Sequence, residues 1–186
     1  MDLRETLLGL LTQKPASGYD LKRVIAESDL FYWSGNNNQI YKVLLELQQE
    51  GLVTFEVQTQ ASLPTKKVYT LTDQGRRVLR EGLLRPPEVP ETRKNFLIQL
   101  ACAQALTDEE LLTLFERYEV EVQAGLNLAR GLAERAAKHE GDSRQTWLDL
   151  MTRENIVQTW QAELDWARRT REELQEKTNK DKTKRN

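Results

Sequence analysis

Within nine residues, Ser34-Gly35-Asn36-Asn37-Asn38-Gln39-Ile40-Tyr41-Lys42 collects four side-chain amides, a phenol and an ammonium. An amide sets a donor beside an acceptor, which is the pattern that pairs in bidentate fashion with adenine N6 and N7 in the DNA major groove. Tyr41 and Lys42 can hydrogen-bond phosphate and fix a docking register. The same residue types also suit a helix start: Asn36-x-x-Gln39 fits a variant of the capping box, in which each side chain satisfies an orphan backbone N–H. Both uses stay open for Asn36 and Gln39. Capping leaves Asn37, Asn38 and Tyr41 without an explanation. A second group with binding chemistry is Gln58-Thr59-Gln60-Ala61-Ser62-Leu63-Pro64-Thr65-Lys66-Lys67, a polar, basic run without an acid. Thr65, Lys66 and Lys67 beside a base-reading helix suit phosphate contact along the minor groove, the alternative being a merely solvated loop.

Catalytic and metal chemistry find less support. His139 is the only histidine and Cys102 the only cysteine, so the usual Cys/His metal site cannot be assembled. No Gly-rich phosphate loop or nucleophile elbow is present, and the carboxylates are spread over solvated helix faces. The expectation is a protein that binds, with no catalytic residues, no metal and no cofactor.

The elements that must position these groups follow from periodicity. Leu3 to Leu11 is predicted as a first helix, Lys14 to Gly18 as a turn, and a second helix from Gly18 with Leu21, Val24 and Ile25 inward. An aromatic cluster, Phe31-Tyr32-Trp33, follows. A third helix from about Asn37 to Glu50 turns Ile40, Val43, Leu44 and Leu47 inward. At about 100° per residue, Asn38 and Lys42 then point outward and Tyr41 lies on the flank. Gly51 stands where a left-handed stop is wanted. Val53, Phe55 and Val57 alternate as a strand, Val68 to Leu71 as its antiparallel return, and Thr72-Asp73 open a fourth helix ending near Leu83. Three helices, a β-hairpin wing and a fourth helix make a winged helix-turn-helix.

Arg85-Pro86-Pro87-Glu88-Val89-Pro90 cannot continue a helix or a central strand. The predicted organisation is a DNA-binding domain over 1–85, a Pro-rich linker over 86–91, an all-α domain over 92–176 and a basic, disordered tail over 177–186. In the all-α part, helices are predicted over Thr92 to Ala105, from the capping box Thr107-x-x-Glu110 to about Lys138, and from about Ser143 to Glu176, with a break at Glu140-Gly141-Asp142. The fold class is therefore mainly α. The net charge of −2 is unevenly divided. Residues 1–85 carry 11 basic and 10 acidic side chains, 86–176 carry 11 and 18, and 177–186 carry 5 and 1. DNA would be repelled by the middle segment alone. With no run of 18 apolar residues, no signal-peptide features at the start and one cysteine, the expected location is cytoplasmic, with no membrane partner.

Four stretches resemble the PadR-like transcriptional regulator family: MDLRETLLGLL as its first helix, SGYDL as the start of its second, QIYKVL through EGLV as its recognition helix, and KVYTLTDQG as its wing strand and fourth-helix cap. They cover residues 3 to about 82 in the right order. Two departures stand out: Lys42 replaces the usual proline, and Leu63-Pro64 replace an arginine-rich wing tip. The resemblance implies a homodimer held by C-terminal helices, a palindromic double-stranded DNA operator, repression, and a small aromatic or hydrophobic effector.

The residues themselves permit a dimer. Leu150, Val157, Leu164 and Arg171 repeat every seven, with Arg153, Trp160, Ala167 and Leu174 in the companion positions, a seam that two helices could bury. Leu150, Val157, Trp160, Leu164 and Ala167 are thus candidate dimerisation residues, and packing within one chain is the competing use. Trp147, Trp160 and Trp166 are candidate effector contacts as an aromatic wall, against a role as core anchors. A protein–protein adaptor is the rival function, and a steep salt dependence of DNA binding separates the two.

Overall fold

The computed structural model describes residues 1–28, 38–60, 63–89, 94–138 and 143–185. The chain forms two compact units, Met1–Val89 and Pro90–Asn186. Residues Phe31 to Trp33, His139 and the Gly141 break lie outside the described residues, as do 90 and 91 of the linker.

In the first unit, α1 (Leu3–Leu10) begins at Asp2, whose carboxylate accepts the Glu5 N–H at 2.9 Å while Glu5 accepts the Asp2 N–H at 3.2 Å. Glu5 is buried and pairs with Arg85 at 3.0 Å, which fastens the end of the domain to its beginning. A strand β1 (Ala16–Ser17) stands where the sequence suggests only a turn. Ser17 also caps α2 (Gly18–Ala26): its hydroxyl accepts the Asp20 N–H at 3.2 Å. Helix α3 (Asn38–Gln49) buries Ile40, Val43, Leu44 and Leu47, as its spacing predicts. Gly51 then turns the chain at φ +72°, a left-handed conformation that an L side chain resists.

Strands β2 (Val53–Gln60) and β3 (Leu63–Leu71) form the hairpin, and β1 adds to the other side of β3, all antiparallel. The return strand is longer than predicted because pairing runs on from Phe55↔Tyr69 through Gln58↔Lys66 to Gln60↔Leu63. Helix α4 (Asp73–Leu83) is capped by Thr72, whose hydroxyl accepts the Gly75 N–H at 3.0 Å and reaches the Gly51 carbonyl at 2.8 Å. One side chain thereby ties the helix after the hairpin to the turn before it. The core draws on every helix, with Leu7, Leu8, Leu21, Leu44, Leu47 and Val53 almost wholly buried. Each such leucine stabilises the unit by about 1.5–3 kcal/mol. This is a winged helix-turn-helix.

The second unit holds α5 (Asn95–Ala101), a 3₁₀ turn (Ala103–Ala105), α6 (Asp108–Ala137) and α7 (Arg144–Arg185). The capping box Thr107/Glu110 opens α6 as read from the sequence. Helices α6 and α7 run antiparallel, since Thr178 meets Asp108, Arg171 meets Glu119 and Arg130 meets Gln161. The tail differs from expectation: 177–185 continue α7 as helix. Thr178 is buried and donates to Asp108 Oδ2 at 3.1 Å and to the Leu174 carbonyl at 3.0 Å. Its four lysines and Arg185 are good helix formers, so a lack of apolar residues did not stop the helix.

Part of the heptad seam packs within the chain, the competing use that the sequence left open. Leu164 and Ala167 are buried within one chain, and Leu164 packs with Val122 and Leu126 of α6, with Val157 and Tyr118 at the edge. A seven-residue repeat specifies an apolar stripe and leaves open which helix covers it; here α6 does. Arg171, an apparent interruption, donates to Glu119 at 2.6 Å. The tryptophans form no single wall. Trp166 joins Phe96 and Phe115 in a ring cluster, Trp160 lies over Gly125, and Trp147 is 59% exposed. Separations of 13 and six residues point them roughly 120–140° apart around α7, as 3.6 residues per turn requires.

Candidate nucleic-acid interface

Fixing Ile40, Val43, Leu44 and Leu47 in the core leaves Asn38, Tyr41, Lys42 and Leu45 on the outer side of α3, at i, i+3, i+4 and i+7. Asn38 and Gln39 are exposed at the first turn, where a recognition helix presents its reading residues. Lys42 is exposed and reaches Glu46 at 3.9 Å, a surface ion pair weak enough to exchange for phosphate. Asn36 and Asn37 lie outside the described residues. Leu45, 50% exposed, escaped the sequence reading because a lone surface leucine carries no signal. On this face its chemistry matches the thymine methyl group.

The wing stands beside this face. Thr65, Lys67 and Tyr69 alternate on the side of β3 that carries the buried Tyr69 and Leu71, with Lys66 on the opposite side. Thr65, Lys66 and Lys67 are exposed. The Lys67 ammonium sits 4.3 Å over the Phe55 ring, which orients it without neutralising it. Together Tyr41, Tyr69, Lys66, Lys67 and the first turn of α2 border a cleft of about 690 Å³. Tyr19, Asp20 and Gln58 complete it, and sequence reasoning missed their part because they converge only through the β1–β3 pairing.

Gly18 sets how closely α3 approaches α2. A Cβ on Gly18 would stand 2.6 Å from Tyr41 Cε1 and 3.3 Å from Leu44 Cδ1. Leu44 is fully buried, whereas Tyr41 is half exposed, so the ring is the part that can swing away. Gly18→Ala is therefore expected to weaken DNA binding by about tenfold or less through loss of one hydrogen bond, on cognate and random duplexes alike. Combined with Tyr41→Phe it should add little further loss, because both variants remove one contact. Additive losses in the binding isotherms would refute the coupling.

One polar cluster of the second unit is Lys94, Tyr118 and Glu163. Glu163 accepts the Tyr118 hydroxyl at 2.6 Å and pairs with Lys94. Burial opposes ionisation of Glu163, but these two partners prevail and hold its carboxyl below the usual range. Burial and the neighbouring Glu163 push the Tyr118 phenol up. Phe96 stacks on the Tyr118 ring at 3.5 Å, so this cluster is a fully partnered strut joining the three helices. Among the described residues no group of side chains could hold a metal ion, and no helix is long and apolar enough to cross a membrane.

Comparison with known proteins gives a concordant result. The model of the transcriptional regulator PadR-like family matches residues 7–81, and that of the virulence activator alpha C-terminal region matches 92–175. The negative transcriptional regulator PadR of Bacillus subtilis (strain 168) is 35% identical over 134 residues, which is 72% of this chain and 74% of that protein. The crystal structure of Bacillus subtilis PadR in complex with operator DNA superposes with a TM-score of 0.81 at 28% identity, over 92% of this chain and 98% of that one. The complex of the same protein with p-coumaric acid gives 0.78 at 26% identity, over 93% and 95%.

Proposed function

From the premise that this chain belongs to the PadR-like family of transcriptional regulators, which are not enzymes, we propose that it is a homodimeric repressor that binds a palindromic operator and is released by a small aromatic effector. The observation that carries the DNA reading is the outward stripe of α3 set beside the paired wing lysines. Asn38 and Gln39 read bases, with Leu45 available to thymine methyls. Tyr41, Lys42, Thr65, Lys66 and Lys67 hold phosphates. Asn36 and Asn37 enter this reading on sequence grounds alone. The relative's operator and p-coumaric acid complexes support DNA and an aromatic acid as ligand classes.

For the dimer, the exposed apolar residues offer a better surface than the seam that α6 occupies. With Arg130 opposite Gln161, Ala137 falls opposite about residue 154, and α7 begins about 10 residues (roughly 15 Å) before that point. Trp147, Leu148 and Met151 therefore sit where α7 overhangs α6, each at least 42% exposed. Leu150 lies in the same stretch, and Leu97 and Ile98 are exposed on α5. These surfaces suit a second copy of this chain.

The test is a matched set of binding isotherms on operator and random duplexes over a range of salt. Asn38→Ala should cost about 1–3 kcal/mol on the operator and little on random DNA. Lys66→Ala with Lys67→Ala should weaken both and flatten the salt slope by about one to two units. Light scattering should give twice the 21.6 kDa chain mass. Equal losses on both duplexes for Asn38→Ala would remove α3 as the base reader.

A further inference from the structure

We propose that the basic end of α7 is a second, sequence-independent contact for DNA phosphates, separate from α3 and the wing. The inference rests on the regulator reading above and adds a surface to it. Thr178 meets Asp108, the first residue of α6, so α6 covers α7 no further than that point. Helix α7 nevertheless runs on to Arg185, roughly 10 Å past Thr178 at 1.5 Å per residue. This projecting piece has no apolar residue, and 177–186 carry five basic side chains against Asp181 alone. Thr178 is buried and marks the inner side of the helix. At about 100° per residue, positions 177, 180 and 184, all lysine, fall about 100–160° away from it. Lys177 and Lys180 are exposed.

Two simpler uses of this charge fall short. Cations suit the last turn of a helix, where they face the carbonyl end of its dipole, but Lys177 and Lys180 stand before that turn. A merely solvated helix gains from opposite charges four residues apart, yet Lys180 and Lys184 set like charges at that spacing. Lys180 pairs with Glu176 at 3.9 Å, but these side chains are 75% and 74% exposed, so the pair exchanges readily for another anion. The acids Asp108, Glu109 and Glu110 complement the dipole of α6 at its first turn, and the projection carries the cations past them. The anion that fits is the DNA backbone. It offers a charge about every 1.7 Å along the duplex axis, so cations strung along a short helix each find a phosphate. A lipid headgroup surface fits less well, because the segment has no apolar face to enter the interface.

The test uses the full-length protein on a random duplex over a range of salt. Lys180→Gln, Lys182→Gln, Lys184→Gln and Arg185→Gln together keep good helix formers and remove four charges. This variant should bind about tenfold more weakly at about 0.1 M salt, with a salt slope flatter by about two units or more. Its preference for operator over random DNA should be kept, since phosphate contacts carry no sequence information. Lys180→Arg, Lys182→Arg and Lys184→Arg together should restore the slope, which separates charge from damage to the helix. A protein with Asn38→Ala, Lys66→Ala and Lys67→Ala should retain weak, salt-dependent binding to random duplex, and adding the four Gln changes should abolish it. An unchanged slope in the Gln variant, or a slope lost equally in the Arg variant, would overturn the proposal. So would tail-dependent binding to phosphatidylglycerol vesicles as tight as that to DNA. In each of these cases the unaltered protein would still prefer its operator. Absence of that preference would instead count against the regulator reading itself.

Discussion

Gly75→Ala is expected to destabilise the first unit by about 3 kcal/mol, the upper end of what overpacking usually costs. Helix propensity alone argues the reverse, since alanine is favoured over glycine inside a helix by about 1 kcal/mol. The environment decides the sign. A Cβ on Gly75 would lie 2.2 Å from the Leu52 carbonyl oxygen and 2.7 Å from Leu71 Cδ1. That oxygen is backbone, and it is held where it is by the Thr72 N–H at 3.1 Å and the Thr72 hydroxyl at 3.0 Å. Making room means parting α4 from the start of the hairpin, which also disturbs the wing. A melting temperature lowered by roughly 15 °C is the expected reading for a domain of this size. Sequence-specific binding should fall with it. A loss of less than about 3 °C would show that the turn yields cheaply.

The second large effect is Leu164→Glu. Leu164 is 1% exposed against Val122 and Leu126, so the variant loses an apolar contact and buries a carboxylate with no partner. Such a change costs about 3–5 kcal/mol. The second unit should therefore unfold at every protein concentration, with a large loss of helical signal in circular dichroism. Met151→Glu is the control. It lies on the exposed stretch assigned to the partner, so helicity should survive while light scattering falls towards a single chain. If Leu164→Glu kept full helicity and only split the dimer, the seam would belong to the partner after all.

The seam is where reading the sequence reached its limit. The spacing of Leu150, Val157 and Leu164 shows an apolar stripe, but the identity of the covering helix is a tertiary fact. The same holds for the tryptophans, which look clustered in the chain and diverge in space because 13 and six are poor multiples of a helical turn. Elements with local causes were legible. The inward set of α3, the stop at Gly51 and the caps at Thr72 and Thr107 each depend on residues within a turn or two. Strand β1 was not, because two residues become a strand only through their partners Tyr69 and Val68. The outward direction of Asn38 and Lys42, with Tyr41 on the flank, could be read directly, whereas the cleft beside them needed the wing in place. That the chain belongs to the PadR-like family was carried by motifs in the first unit, and the comparisons agree.

The polar pairs along α6 and α7 bear on a different matter, the choice among alignments. An apolar stripe that repeats every seven residues would accept a slip of one heptad with modest loss, because Val157 could take the place of Leu164. The polar pairs would not. After such a slip Glu119 would lose Arg171, Asp108 would lose Thr178, and Gln161 would no longer meet Arg130. Each pair adds little stability at the true register, yet all of them fail together at a false one. A hairpin of long helices whose hydrophobic code is degenerate is in this way held to a single phase, and the two ends of α7 are delivered to fixed places along α6.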